Sequence, residues 1–177
     1  MKENRSVVNP FRTAVTAAIA ILTMAAATWS VFGVLQAQAA GDPIVVIVNN
    51  ANPIDNLTVG ELKKLFLSDR SRWETGKAVA PVMLAPGAPE RTAFLKTVCG
   101  MNDAEMGKYF MQAAFSGKSA TPPKELGSAG AVKSFVASSP GAIGFIKASD
   151  LASGDSTVKA VKIDGAAASD PGYKLKM

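Results

Sequence analysis

Short apolar runs alternate with amphipathic stretches along most of this chain. The run at residues 43–48 is continuous and β-branched, which is typical of a strand buried on both faces of a sheet. Three further runs, at residues 78–84, 142–146 and 158–163, also predict strands, and Pro81 indicates that the first of these lies at an edge or contains a bulge. The apolar pattern therefore predicts several short strands spread along the chain.

Between these strands, apolar residues recur three and four positions apart, which predicts amphipathic helices. Each predicted helix has a recognisable start, either a side-chain cap or a proline suited to the first turn. These starts lie at Thr58 with Glu61, at Pro89, at Asn102 with Glu105, and at Ser128. Strands interleaved with helices predict an α/β fold with a mixed sheet flanked by helices.

Large side chains on the helical stripes predict the core. We expect Phe94, Phe110 and Phe135 to be buried, because each lies on such a stripe, and we expect Trp73 to anchor the core. Cys99 is the only cysteine in the sequence and fits a small buried apolar position. The segment 165–177 is small, polar and basic, and we expect it to fray.

The N-terminal region has the pattern of an export signal. A short basic start is followed by a stretch without charge over residues 13–41, which includes the small-x-small sequence Ala37-Gln38-Ala39. We therefore predict that residues 1–39 are a cleaved signal peptide and that residues 40–177 form one periplasmic domain. The alternative is an uncleaved membrane anchor, because the apolar stretch reaches the about 20 residues that span a bilayer.

Charge and composition argue against several function classes. The net charge of +5 comes from scattered Lys and Arg residues, so nucleic acid is not an expected partner. The chain has no histidine and one cysteine, which removes Ser-His and Cys-His catalysis and most zinc sites. Most carboxylates lie at helix starts or in turns, where capping explains them. We therefore expect no enzyme activity, no catalytic or metal-ligating residues and no cofactor.

The most informative segment is Pro140-Gly141-Ala142-Ile143-Gly144-Phe145-Ile146, which follows a helical pattern. It resembles the segment near the hinge of the phosphate-type substrate-binding proteins of ABC transporters. Other pieces of the resemblance occur at residues 48–53, 62–67, 72–73, 89–95, 115–117 and 122–123. The resemblance covers the chain from about Ile44 to Ile163, and it is closest to short, single-domain members of the family. It implies a periplasmic binding protein-like (type II) fold that captures a solute non-covalently.

The phosphate site of that family does not recur in this sequence. The family's ligands are an arginine, an aspartate and a Ser-Gly-Thr sequence at a helix start. With Phe94 aligned to the family's phenylalanine, the corresponding residues are apolar, proline or acidic: Leu84, Pro86, Ala88, Pro89 and Glu90. The resemblance therefore implies that phosphate is not bound tightly by this chain.

Two segments are candidates for whatever ligand or partner site the domain has. Asn49, Asn50 and Ala51 follow the first predicted strand, and Gly87, Ala88, Glu90 and Arg91 follow the second. Because loops at the carboxyl ends of strands commonly form ligand sites, we expect these two segments to face each other. Their mixture of amide, guanidinium and carboxylate groups favours a neutral or zwitterionic solute, or a partner's side chain, over a bare oxyanion. The alternative is purely structural: Asn49 and Asn50 cap a turn, and Arg91 pairs with a surface acid.

Two interpretations of function remain open from the sequence. In the first, the domain binds a small solute or anion, in the manner of a transporter's binding protein. In the second, the binding fold has lost its ligand and acts as an interaction or sensory partner of a membrane protein. Fold alone does not decide between them.

Overall fold

The computed structural model describes residues 41–151 and 156–177, so the predicted signal peptide lies outside the described residues. Within these ranges, six strands form one sheet with the order β2-β6-β1-β5-β3-β4. The strands are β1 (Ile44–Asn49), β2 (Asn56–Leu57), β3 (Ala80–Leu84), β4 (Lys124–Leu126), β5 (Ala142–Lys147) and β6 (Val158–Ile163). No helix in the described ranges is long and apolar enough to cross a membrane.

The helices begin where the sequence predicts. They are α1 (Val59–Phe66), α2 (Pro89–Phe94), α3 (Asp103–Phe115) and α4 (Ala129–Ser138). A π-helical turn, Leu95–Cys99, continues α2 and ends at Gly100, whose φ of 70° is left-handed. Thr58 and Asn102 form reciprocal capping boxes with Glu61 and Glu105, and the Ser128 side chain caps α4. The predicted helix starts are thus confirmed.

Strand direction is the feature of the sheet that decides where loops meet. β1 lies in the middle of the sheet and is antiparallel to both β5 and β6. β3 is parallel to β5, and β4 is parallel to β3. β1 therefore runs opposite to β3. The carboxyl ends of these two strands lie at opposite ends of the sheet, measured along the strand direction. All six residues of β1 are buried, as predicted for a strand covered on both faces.

The two faces of the sheet carry separate apolar clusters. On one face, Phe94 stacks on Phe145 with ring centroids 4.0 Å apart, and Phe66 meets the edge of Phe94 at 4.7 Å. On the other face, Val132 and Val136 of α4 pack over residues of β1, β3 and β5. The structure thus buries the apolar stripes of α1, α2 and α4 against one sheet.

Two expectations about packing are wrong. Phe135 is only partly buried, and the ammonium group of Lys124 lies 4.5 Å from its ring centroid, so this side chain covers the margin of the core. The C-terminal segment does not fray, because Tyr173 and Leu175 are buried in the first cluster. The Tyr173 hydroxyl donates to the carbonyl of Ile44 at 2.7 Å. Phe94, Phe110, Trp73 and Cys99 are buried, as predicted.

Candidate functional site

The structure separates the two segments that the sequence predicted to face each other. The loop containing Asn49, Asn50 and Ala51 follows β1, whereas the turn containing Gly87 and Ala88 follows β3. Since β1 and β3 run in opposite directions, the two segments lie at opposite ends of the sheet along the strand direction. The expectation that they converge is wrong, because the pattern of apolar residues does not encode strand direction.

The side chain of Asn49 is engaged in holding a helix end. Its amide nitrogen donates to the carbonyls of Val136 and Ala137 at 2.9 and 2.7 Å. Its side-chain oxygen accepts from the backbone N–H of Ala51 at 2.9 Å. These bonds satisfy carbonyl groups at the C-terminal end of α4. Asn50 is exposed, and its backbone N–H donates to Thr157.

The second segment forms a tight turn into α2. Gly87 has a φ of 90°, a conformation that favours glycine, and it is exposed. The backbone N–H of Ala88 donates to the carbonyl of Ala85 at 3.3 Å. Pro89 occupies the first turn of α2 and has no N–H, so one donor is missing from the helix start.

Glu90 and Arg91 are buried, which is unusual for charged residues and requires partners. Glu90 lies 3.3 Å from the ammonium group of Lys147, the last residue of β5. Arg91 donates to the Asp103 carboxylate at 2.5 Å and to the Glu125 carboxylate at 2.7 Å. It also donates to the carbonyl of Leu84 at 2.8 Å.

This Arg91 network connects four elements at one edge of the sheet. Arg91 belongs to α2, Asp103 begins α3, Glu125 lies in β4 and Leu84 ends β3. The donors of Arg91 are directed at these neighbours, so its side chain joins the four elements. Its guanidinium group is not free to bind an anion from solution. Arg91, predicted as a ligand-binding residue, is thus 4% exposed and partnered.

A pocket of about 330 Å³ lies beside the Arg91 network, between α3 and β4. Its apolar side is formed by Met83, Met106 and Phe110, and its polar side contains Arg91, Asp103 and Glu125. The remaining lining residues are Pro86, Gly107, Pro122 and Pro123. An apolar pocket with a few convergent polar groups is the usual form of a small-molecule site.

The Cys99 thiol and the carboxylates are candidate groups for nucleophilic or metal chemistry in the part of the chain that the structure describes. Residues 41–151 and 156–177 contain no group of three or more His, Cys, Asp or Glu side chains suited to a metal ion. Burial raises the pKa of the Cys99 thiol to about 11, so the thiol is protonated at neutral pH.

Several solved structures to which the chain is similar are described as phosphate-binding or phosphate-transport proteins. A protein of Clostridium perfringens, assigned as a phosphate ABC transporter substrate-binding protein and crystallised with phosphate, is 27% identical with a TM-score of 0.58. An ABC-type phosphate transport receptor from Vibrio cholerae is 21% identical with a TM-score of 0.61, and PstS from Borrelia burgdorferi is 13% identical with a TM-score of 0.59. The chain has the phosphate-binding-protein fold.

The shared region includes most of this chain but only half of the solved proteins. The matches cover 73%, 77% and 77% of this chain, and 48%, 54% and 55% of the three proteins respectively. No protein-family model matches the chain. The phosphate-binding-protein fold is thus established for a region that spans about half the length of these receptors.

In this phosphate-binding-protein fold, the positions that the resemblance assigns to phosphate ligands lie at the end of β3 and the start of α2. Leu84, Pro86, Ala88 and Pro89 offer no polar side chain there, and Glu90 is paired with Lys147. The sequence did not predict the pocket that adjoins these positions. Its wall includes β4, a three-residue strand without an apolar run, and the only signal for that wall was the stiff Pro122-Pro123 pair.

Proposed function

We propose that residues 40–177 form a solute-binding domain whose tight ligand is not free phosphate. The observation that supports this most is the state of the two charged residues at the start of α2. Glu90 is paired with Lys147, and Arg91 with Asp103 and Glu125. A solute bound at this edge would meet a surface whose cations already have anionic partners.

The physical argument concerns the cost of removing an oxyanion from water. A buried phosphate needs several aligned donors to offset its desolvation. Ala88 and Pro89 supply no side-chain donor, and Pro89 also removes a backbone N–H. The carboxylate of Glu90 is paired with Lys147, so that ammonium group is not free to hold an anion. A neutral solute has a smaller desolvation cost and needs fewer donors.

The test is a ligand screen on the purified chain, with thermal unfolding followed by calorimetry. Phosphate and sulfate are compared with neutral, zwitterionic and cationic solutes at matched ionic strength. A ligand present at about one hundred times its dissociation constant stabilises the native state by about 2.7 kcal/mol, which shifts the midpoint visibly. We expect no such shift from phosphate. A calorimetric titration that shows stoichiometric phosphate binding with a sub-micromolar dissociation constant would contradict the proposal.

We further propose that the domain works in the periplasm after export. The support is the basic start, the uncharged stretch and the sequence Ala37-Gln38-Ala39. Intact-mass analysis of protein from the native cell is expected to give a chain beginning at Ala40. A full-length species in the membrane fraction would instead support the uncleaved anchor.

A second candidate function is docking on a membrane protein, and it is favoured by one exposed helix face. On α3, Phe115 is 86% exposed and Met111 is 60% exposed, one helical turn apart. Exposed lysines, Lys108 and Lys118, flank this pair along the chain. The partner that fits this face is a protein surface that is apolar at its centre and acidic at its rim.

A photo-crosslinking residue at position 115 tests this candidate in the native cell. We expect one identified membrane-protein adduct that weakens with added salt and with Met111→Ser. Gln112→Ser, an exposed change on the same helix, is the matched control. Crosslinks spread over many proteins, or an adduct unaffected by Met111→Ser, would rule out a specific docking face.

A further inference from the structure

The pocket between α3 and β4 has an apolar floor that is already buried from water. Met83 is 1% exposed, Met106 is 3% exposed and Phe110 is 7% exposed, although all three line the pocket. Two thioethers and an aromatic ring make a surface that adapts to flat or flexible apolar groups. The floor therefore suits the hydrocarbon part of a solute.

The polar side of the same pocket carries an excess of negative charge. Arg91 contributes one positive charge, whereas Asp103 and Glu125 contribute two negative charges. Each carboxylate uses one oxygen on Arg91, Oδ1 of Asp103 and Oε1 of Glu125, so each has a second oxygen to offer another donor. Asp103 is 34% exposed and Glu125 is 50% exposed, so a solute can reach both.

Gly107, in the middle of α3, is an exposed residue of the pocket lining, and we call this part of the lining the mouth of the pocket. A glycine is unfavourable in a helix interior, and Gly107 has no positive φ that would require it. A Cβ added there would meet nothing within 4 Å. Gly107 is therefore not required by close packing, and the missing side chain leaves the mouth open.

The opposite wall is stiff. Pro122 and Pro123 line the pocket just before β4, and Pro123 is buried. Proline fixes its own backbone φ and restricts the preceding residue, so this wall has few alternative conformations. A wall that is ordered before binding reduces the entropy lost when a solute enters.

We propose that this pocket binds an organic cation, a primary amine or guanidinium group on an apolar stem. The stem lies on Met83, Met106 and Phe110, and the cation donates to the outer oxygens of Asp103 and Glu125. An anion of the same shape is repelled by the net negative charge. This proposal rests on the proposed function, because it names the class of solute that the domain captures.

The test compares three probes of similar shape and different charge: phenethylamine, 2-phenylethanol and 3-phenylpropionate. Each is titrated into the purified full-length chain at neutral pH and followed by calorimetry. We expect phenethylamine to bind, 2-phenylethanol to bind more weakly and 3-phenylpropionate to bind at least about tenfold more weakly than the amine, the ratio expected for a charge-assisted hydrogen bond. Equal binding of the amine and the carboxylate would overturn the proposal.

Two variants locate the binding. Gly107→Leu places a side chain in the mouth and is expected to abolish phenethylamine binding, whereas Ala104→Leu, an exposed change in the same helix, is expected to preserve it. Glu125→Gln retains a side-chain oxygen that can accept from Arg91 but removes one negative charge. It is expected to reduce the affinity for phenethylamine about tenfold. Glu74→Gln, an exposed acid outside the pocket, is its control.

The outcomes separate this inference from the proposed function. If a solute from the wider screen binds and Gly107→Leu does not affect it, the domain binds solutes and the pocket assignment is wrong. If no solute from either experiment binds, both proposals fail. Thermal midpoints of all four variants establish that a loss of binding is not a loss of folding.

Discussion

At the scale of single residues, Gly144 is a position where the core leaves no room for a side chain. It lies in β5 beneath α4, and a Cβ added there would come within 2.7 Å of Val132 Cγ1 and 2.9 Å of Val82 Cγ2. Both neighbours are buried, β-branched side chains with little freedom to move. The absence of a side chain at Gly144 thus sets how closely α4 approaches the sheet.

Gly144→Ala is therefore expected to destabilise the domain by about 1–3 kcal/mol, the usual cost of overpacking a core. Urea denaturation followed by circular dichroism measures this cost. Gly127→Ala is the matched control, because a Cβ there meets nothing within 4 Å. An unchanged denaturation midpoint for Gly144→Ala would mean that α4 packs less closely than described.

A second residue-scale prediction concerns alkaline pH. Burial raises the pKa of the Cys99 thiol from 9.0 to about 11, so the unfolded chain ionises this thiol before the folded chain does. The contribution of Cys99 to the free energy of unfolding is complete below pH 9 and is lost as the pH rises toward about 11. Cys99→Ala is expected to reduce the fall in the free energy of unfolding over this pH range. If the free energy of unfolding falls equally steeply with pH in both proteins, Cys99 is not the group responsible.

At the scale of elements, the C-terminal segment behaves as part of the core. The backbone N–H of Ile44 donates to the carbonyl of Leu175 at 2.9 Å, and the Leu175 side chain is fully buried. The sequence predicted fraying, because small and polar residues dominate the segment. The side chains of Tyr173 and Leu175 nevertheless pack in the core, and both residues form hydrogen bonds with Ile44.

Leu175→Ala is expected to reduce the free energy of unfolding by about 2–5 kcal/mol, because it removes a buried side chain and leaves a cavity. Chemical denaturation compared with the wild type measures the loss. Lys176→Ala, at the neighbouring and more exposed position, is expected to change stability by less than about 0.5 kcal/mol. A small effect at both positions would show that the segment contributes little to the fold.

The elements also show what the sequence could and could not predict. Helix starts were predictable because caps are local: the Thr58, Asn102 and Ser128 hydroxyl or amide groups act on backbone groups three residues away. β1 was predictable because its first five side chains, Ile44 to Val48, form a continuous apolar run. β4 was missed because Lys124-Glu125-Leu126 forms a strand only through pairing with β3. The two halves of the predicted site were separated for a similar reason, since strand direction is decided by connections between distant segments.

At the scale of the whole molecule, residues 41–177 make up one compact unit. Helices or loops cover both faces of its sheet, and its first strand is bonded on both sides. Residues from both ends of the unit are packed in the same core, as Ile44 and Leu175 show. Contacts within the unit thus join its two ends.

A protein consisting of residues 41–177 is therefore expected to fold alone, with one cooperative thermal transition. Its midpoint is expected to match that of the full chain, compared under identical buffer conditions by differential scanning calorimetry. A broad transition, or a shift of the midpoint by many degrees, would show that residues 1–40 contribute to the stability of the domain.

The joining of the two ends of the unit has a topological consequence. Pro43 and Lys176 form a bridge, and a Cβ on Gly41 would collide with the carbonyl oxygen of Met177. Because the ends already touch, a short glycine linker could close the chain into a ring, and new ends could be opened at the exposed turn around Gly117. Such a circular permutant would retain every strand pairing. For the same reason, the unit could be inserted into a loop of another protein without separating the ends of that loop.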